Sequence, residues 1–316
     1  MIKSTFRWFR IIGLVLFVWI IFQIDWTLVW LLIKEVRPIF IAGYFIIFIT
    51  ASLLKVIRMY CFLCYLGHRV AFSDVYQAVI EPAFFGMVTP ARIGEFSKIV
   101  YLTRFGLSQT QAWCIVLMER LVDFSLLLIT SIAGSLYFFI FGNFKVAFTL
   151  IMVFLMLSAF IIFLLKIKMI ISAINGMFSS MGCHQARVSK LSSIGELLGG
   201  LGKLSVMIFL PISLLVLILS FIELSLLAKA LNVNISGLFL GLSYACSSLI
   251  ALLPFSVGGL GARETIYIAL FHNHGFSSSI AIGISLLDGL LLPLIAQLFL
   301  FLPIMKMQND KTRVTN

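Results

Sequence analysis

Six stretches of this chain, roughly 6–24, 38–57, 110–141, 145–167, 204–230 and 278–304, are long and apolar enough to cross a lipid bilayer. A helix rises about 1.5 Å per residue, so about 20 residues cover roughly 30 Å of hydrocarbon. Of the 316 residues, 62% are hydrophobic and 11% charged, against about half and about a quarter in a soluble domain. A water-soluble fold of this length could not bury so much apolar surface. The expectation is a single all-α polytopic membrane domain over 1–305, with about six full transmembrane helices, and a polar cytoplasmic tail over 306–316. Little composition is left for a soluble catalytic domain.

The net charge of +11 would suggest nucleic acid in a soluble protein. Here the basic residues flank apolar spans, which points to topology and anionic lipid instead and excludes nucleic acid as a partner. With the N-terminus inside, the inner loops hold fourteen Lys and Arg residues and the outer loops four. That bias predicts a multi-pass protein of the inner (cytoplasmic) membrane with both termini cytoplasmic. The count takes Lys55 and Arg58 as side chains snorkelling to the inner surface. It reads 166–203 as a basic cytoplasmic loop with an amphipathic helix. Glu223 and Lys229 read as interfacial. Lys3, Arg7 and Arg10 precede an apolar run without a small-residue cleavage site, so the first span is expected to stay attached.

One stretch resists this description. Residues 81–123 place Glu81, Arg92, Glu95, Lys98, Arg104, Glu119, Arg120 and Asp123 in an otherwise oily chain, and they add Pro82, Gly86, Pro90 and Gly94, where a helix is disturbed. A second stretch, from Leu253 to Asp288, shares the pattern. Shifted by 169 residues, Glu95 falls on Glu264, Gly106 on Gly275, Ser108 on Ser277, Ala112 on Ala281 and Glu119 on Asp288. The common pattern is E-x10-G-[LF]-S-x3-A-x6-[ED]. Acids are rare here, so two of them in register with a glycine and a serine indicate an internal duplication, with units around 74–141 and 236–304. Three predicted spans separate the copies, and an odd number inverts the second. Inverted repeats with broken helices and a midplane site are a common transporter construction. Irregular backbone at membrane depth requires protein or a wet cavity around it. The breaks over Met87–Gly94 and over Pro254–Gly261, the latter with Gly258 and Gly259, therefore predict two re-entrant helical hairpins around a cavity.

Glu119 and Asp123, four apart, share a helix face, and Arg120 is three residues from Asp123. A charge within a span costs about 2.5–3.5 kcal/mol on insertion scales, so these groups must face one another or water. Arginine offers a planar fork for phosphate oxygens. Arg92, Arg120 and Arg263 are the candidate phosphate contacts. Glu95, Glu119 and Glu264 would hold them, bind a hydroxyl- or amine-bearing headgroup or carry a proton, and Asp123 and Asp288 are further candidates for the same site. The alternative is that these charges only lock the hairpins. Cys61-x-x-Cys64 lacks a second ligand pair, the segment 199–203 fails as a phosphate loop, and His272 and His274 stand without a ligand cluster. No metal, cofactor or catalytic motif is expected.

The segments Pro90-Ala91-Arg92-Ile93-Gly94-Glu95, Gly106-Leu107-Ser108, Glu119-Arg120-Leu121-Val122-Asp123 and Pro254-Phe255-Ser256-Val257-Gly258-Gly259-Leu260-Gly261-Ala262-Arg263-Glu264, with Gly275-Phe276-Ser277, resemble the lysylphosphatidylglycerol synthase transmembrane region, a flippase-like family. The resemblance spans nearly the whole chain. Asp288 departs from it, since the family usually has a basic residue nearby. In bifunctional members this domain moves an aminoacylated phospholipid between leaflets and a separate soluble domain makes it. The resemblance thus implies the translocation half alone. The expected function is translocation of a lipid or lipid-linked sugar with a phosphate headgroup. Its partner would be a membrane phospholipid or a polyprenyl-phosphate sugar. The alternatives are a membrane-embedded enzyme and a non-catalytic partner of a lipid- or polysaccharide-modifying enzyme.

Overall fold

The computed structural model describes residues 36–140, 188–251, 262–272 and 274–314. Among the described residues all regular structure is helical. The elements are α1 (Pro38–Tyr65), α2 (Phe72–Val88), a 3-10 segment (Pro90–Ser97), α3 (Lys98–Arg104), α4 (Gln109–Ile140), α5 (Val188–Ala230), α6 (Gly237–Ala251), α7 (Ala262–His272), α8 (Ser278–Leu286), a π-helical turn (Leu287–Leu291) and α9 (Leu292–Val314). Three runs among them are long and apolar enough to cross a membrane: Pro38–Tyr65, Met207–Ala230 and Ser278–Ile304. They answer the predicted spans 38–57, 204–230 and 278–304, and α4 covers the described part, 110–140, of the predicted span 110–141. The predicted spans 6–24 and 145–167 lie outside the described residues.

Pro38 opens α1, where its missing N–H would have no partner in any case. Ser73, a natural cap by type, instead lies inside α2, which starts at Phe72 with Asp74 in its first turn. Of the segment 166–203, read as a basic loop with an amphipathic helix, the part from Val188 is helical, since α5 begins there and runs unbroken through Pro211, and residues 166–187 lie outside the described residues.

α1 and α5 form the central antiparallel pair. At one end Arg37 N donates to Ala230 O at 3.0 Å, and at the other Phe62 packs on Phe209 with ring centroids 4.8 Å apart. Tyr44, Leu224 and Leu227 are fully buried in one core cluster with α6, α7 and α8. Val56, Met59 and Phe62 belong to a second cluster with α2, α3 and α4. Ile39 and Ile46 on α1, Met207, Leu214 and Ile218 on α5, and Phe299 on α9 point outward. Apolar residues thus face outward as well as inward, the pattern of a helix bundle whose solvent is hydrocarbon.

The chain reverses after α2. Pro82 and Gly86 were expected at the break, but both lie within α2, whose helix continues to Val88. Pro82 is buried, and a proline inside a helix is tolerated when protein surrounds it. The break itself comes at Thr89–Pro90. Thr89 Oγ1 donates to Phe85 O at 2.9 Å and accepts from Gly94 N at 2.8 Å, which pins the returning strand of chain to the helix it left. A Cβ on Gly94 would collide with the Phe85 carbonyl, and one on Gly86 would strike the Glu95 side chain. Two glycines thus let the arms touch backbone to backbone. Further along, Tyr101 OH donates to Glu81 Oε2 at 2.6 Å. α6 and α7 pack against each other in the second special stretch. Their connection, with Pro254, Gly258, Gly259 and Gly261, lies outside the described residues.

The 169-residue shift recurs in the hydrogen bonds. Leu107 N donates to Leu102 O at 3.3 Å and Phe276 N to Phe271 O at 3.1 Å. Gly106 and Gly275 both take positive φ, 93° and 79°. Ser108 Oγ accepts from Gln111 N at 3.2 Å and Ser277 Oγ from Ile280 N at 3.4 Å. Two contacts between distant helices have acceptors in the same register. Tyr76 of α2 donates to Leu300 O of α9 at 2.7 Å, and Cys246 of α6 reaches Ser131 O of α4 at 3.6 Å. Ser131 and Leu300 again stand 169 positions apart.

Candidate functional site

α4 carries Glu119 and Asp123 on one face, and a buried carboxylate needs cations and donors around it. α1 supplies the main one. The Arg58 guanidinium, 1% exposed, ion-pairs with Glu119 and places Nη1 2.7 Å from Asp123 Oδ1. It also donates to Ser213 Oγ of α5, and Ser213 in turn donates to Asp123 Oδ1 at 2.6 Å. The Phe209 ring lies 5.3 Å from Arg58 Cζ. Lys98, at the start of α3, donates to both Glu119 oxygens at 3.0 and 2.8 Å. The hairpin turn is held from the same helix: Arg120 Nη2 lies 2.6 Å from Glu95 Oε2. Arg92 Nη1 is 3.7 Å from Glu95 Oε1, and its side chain is half exposed. Arg92 takes a φ of 54°, an uncommon conformation for a residue with a side chain.

The second stretch builds a smaller cluster. Asp288 sits in the π-helical turn, a local widening that often marks functional positions. Its Oδ2 is 3.2 Å from Arg263 Nη2, and its Oδ1 accepts from Tyr44 OH of α1 at 3.2 Å. Arg263 Cζ lies 5.9 Å from the Tyr244 ring. Glu264 faces elsewhere and accepts from Ser285 Oγ at 3.1 Å.

Both clusters open onto one cavity of about 410 Å³ between α1, α2, α4, α5 and the π-helical turn. Of the sequence-predicted site residues, Arg92, Glu95, Glu119, Arg120, Asp123, Arg263 and Asp288 line it. Glu264 does not. The cavity also exposes groups that sequence reasoning assigned to the surface. Lys55 lines it, and Arg58 is locked behind it rather than snorkelling. Without these two, the inner charge count falls from fourteen to twelve, still against four outside. Glu223, read as interfacial, is buried and lines the cavity as well. One signal could have found Arg58: two acids on one face of a span demand a buried cation. Among the described residues no group of three or more His, Cys, Asp or Glu side chains is placed to hold a metal ion.

A family profile described as the lysylphosphatidylglycerol synthase TM region matches residues 10–298. The chain belongs to this family. The matched range includes the turn after α2, the charged face of α4 and the start of α7. The family and the apolar helices together make this a membrane protein with a lipid-related role. No curated protein and no solved structure matches the chain.

Proposed function

We propose that this protein is a lipid translocase that moves an amphiphile with a phosphate-bearing headgroup between leaflets through the charged cavity. One observation carries this reading: a single cavity is lined by ionisable side chains from both special stretches, in a bundle whose outer face is hydrocarbon. Intramembrane charges that line a cavity are the usual signature of a substrate path. Arg92, half exposed, and Lys55 offer cations for a phosphate, and a guanidinium can take two of its oxygens.

The matched turns and cross-contacts support reading the two stretches as an inverted repeat, with six crossings and two re-entrant hairpins. On that reading the headgroup passes between the hairpins while the acyl or polyprenyl chains stay in lipid. The N- and C-termini face the cytoplasm of an inner membrane by the charge bias of the loops.

The test is reconstitution into liposomes with a fluorescent-acyl phospholipid whose outer-leaflet label is quenched chemically. The wild-type protein accelerates the loss of protected label, and Arg92→Gln/Glu95→Gln slows it about ten-fold or more while eluting as wild type in detergent. Equal transfer by the double variant would remove the site assignment. A change of lipid mass on incubation would instead favour an enzyme.

A further inference from the structure

The cavity has two ends of opposite character. Tyr44, Ser52 and Lys55 lie on one face of α1, and Ser213, Ser220 and Glu223 on one face of α5. The helices are antiparallel, with Arg58 beside Ser213 at one end and Arg37 beside Ala230 at the other. Lys55 therefore sits towards the Ser213 end and Glu223 towards the Tyr44 end. At about 1.5 Å per residue they stand on the order of 10 Å apart along the bundle.

Near Lys55, four cations line the cavity (Lys55, Arg92, Lys98, Arg120) against three carboxylates (Glu95, Glu119, Asp123). Those carboxylates are taken up by the ion pairs with Arg58, Lys98 and Arg120. Lys55 is in no ion pair or hydrogen bond among the described residues. At the far end one cation, Arg263, stands against two carboxylates, Asp288 and Glu223. Arg263 is used by Asp288. Glu223 is left over: it is 6% exposed, and its Oε1 has no hydrogen-bond partner. A buried acceptor without a donor is costly, and this one lines the cavity.

We propose that Glu223 is a headgroup subsite that accepts a hydrogen bond from a hydroxyl or ammonium group on the lipid, while Lys55 holds the phosphate. This rests on the translocase reading. The span between Lys55 and Glu223 exceeds a bare phosphate, so the protein selects headgroups that extend beyond the phosphate and end in a donor. Ser52 and Ser220 line the path between.

The test compares three fluorescent-acyl lipids in the same liposomes: phosphatidic acid, phosphatidylinositol and lysylphosphatidylglycerol. Wild-type protein moves at least one extended lipid about ten-fold faster than phosphatidic acid. Glu223→Leu brings that ratio to about one. Glu223→Gln separates the sources: a neutral amide still accepts from inositol hydroxyls and keeps the inositol preference, but it loses a preference that depends on a lysyl ammonium. Native mass spectrometry of each variant with the same lipids gives a binding readout independent of transport. A preference that survives Glu223→Leu in both measurements overturns the subsite and leaves the translocase reading intact. Failure of the wild type to move any of the three overturns both.

Discussion

Arg263 Nη2 lies 3.2 Å from Asp288 Oδ2, with its guanidinium resting against Gly289. A Cβ on Gly289 would come within 2.9 Å of Arg263 Cζ. In the 169-residue register Arg263 falls on Gly94 and Gly289 on Arg120. Arginine and glycine have exchanged places between the two stretches. In the first, the arginine comes from α4 and the glycine lets the hairpin close. In the second, the arginine comes from α7 and the glycine lies in the π-helical turn. Each arrangement keeps one guanidinium beside a carboxylate, so the acid at 288 is compensated by an arginine from α7.

Gly289→Ala therefore acts on the Arg263–Asp288 pair. The added methyl displaces a buried guanidinium and costs about 1–3 kcal/mol, the range of an overpacked core. Thermal unfolding in detergent should show a lowered Tm for Gly289→Ala and partial recovery in Gly289→Ala/Arg263→Lys, whose slimmer head avoids the clash. A Gly289→Ala protein as stable as wild type would show that the pocket can yield.

Arg58 is the cation on which both α4 carboxylates depend. Arg58→Met leaves Asp123 with Ser213 and a distant Arg120, and loss of one partner of a buried pair costs about 3–5 kcal/mol. Asp123→Asn combined with Arg58→Met should recover part of that loss, because the stranded charge is gone. Arg92→Ala, at a half-exposed pair, should change stability by less than about 1 kcal/mol. Unfolding midpoints of the three variants decide the matter, and equal losses for Arg58 and Arg92 would contradict the burial argument.

These two sites show how far the sequence carries. The acids were legible because carboxylates are scarce in an apolar chain and recur in register. Three spans, the Thr89–Pro90 break and the Gly106/Gly275 turns were legible from length, proline and glycine. Arg58, Lys55 and Glu223 were not. Near a predicted span end, a snorkelling side chain and a buried one have the same local sequence, and only the packing of α1 on α5 separates them. Pro82 failed as a break because helix propensity in a protein-lined setting yields to tertiary contacts. Glu264 matched Glu95 in register, yet only Glu95 lines the cavity, because a sequence match fixes residue type and not the direction in which packing aims the side chain.

That divergence between Glu95 and Glu264 gives a transport prediction. Glu95 lines the cavity and is paired with Arg120 at 2.6 Å. Glu264 lies off it and accepts from Ser285. In the liposome assay Glu95→Gln should slow transfer about ten-fold or more, the loss expected from a charge-assisted hydrogen bond. Glu264→Gln, which keeps an acceptor for Ser285, should stay within about two-fold of wild type, less than a full net hydrogen bond. Equal losses in the two variants would mean that the register, not the cavity, marks the working residues.

The hairpin turn offers a graded stability series. Thr89→Ser keeps the hydroxyl that bridges Phe85 O and Gly94 N and should unfold close to wild type. Thr89→Ala removes both bonds and leaves Gly94 N without its partner, a loss of about 1–3 kcal/mol for an unsatisfied donor. Gly94→Ala is harsher, because the atoms it meets are the Phe85 carbonyl and Gly86 N, the latter at 2.7 Å. Backbone cannot step aside as a side-chain tip can, so the two arms must separate. Separation would carry Glu95 away from Arg120, so Gly94→Ala should lose lipid transfer as well as stability, whereas Thr89→Ala should lose mainly stability. Measuring Tm and transfer on the same preparations tests this ordering, and a Gly94→Ala protein with wild-type transfer would show that close contact of the arms is not needed to hold Glu95 in place.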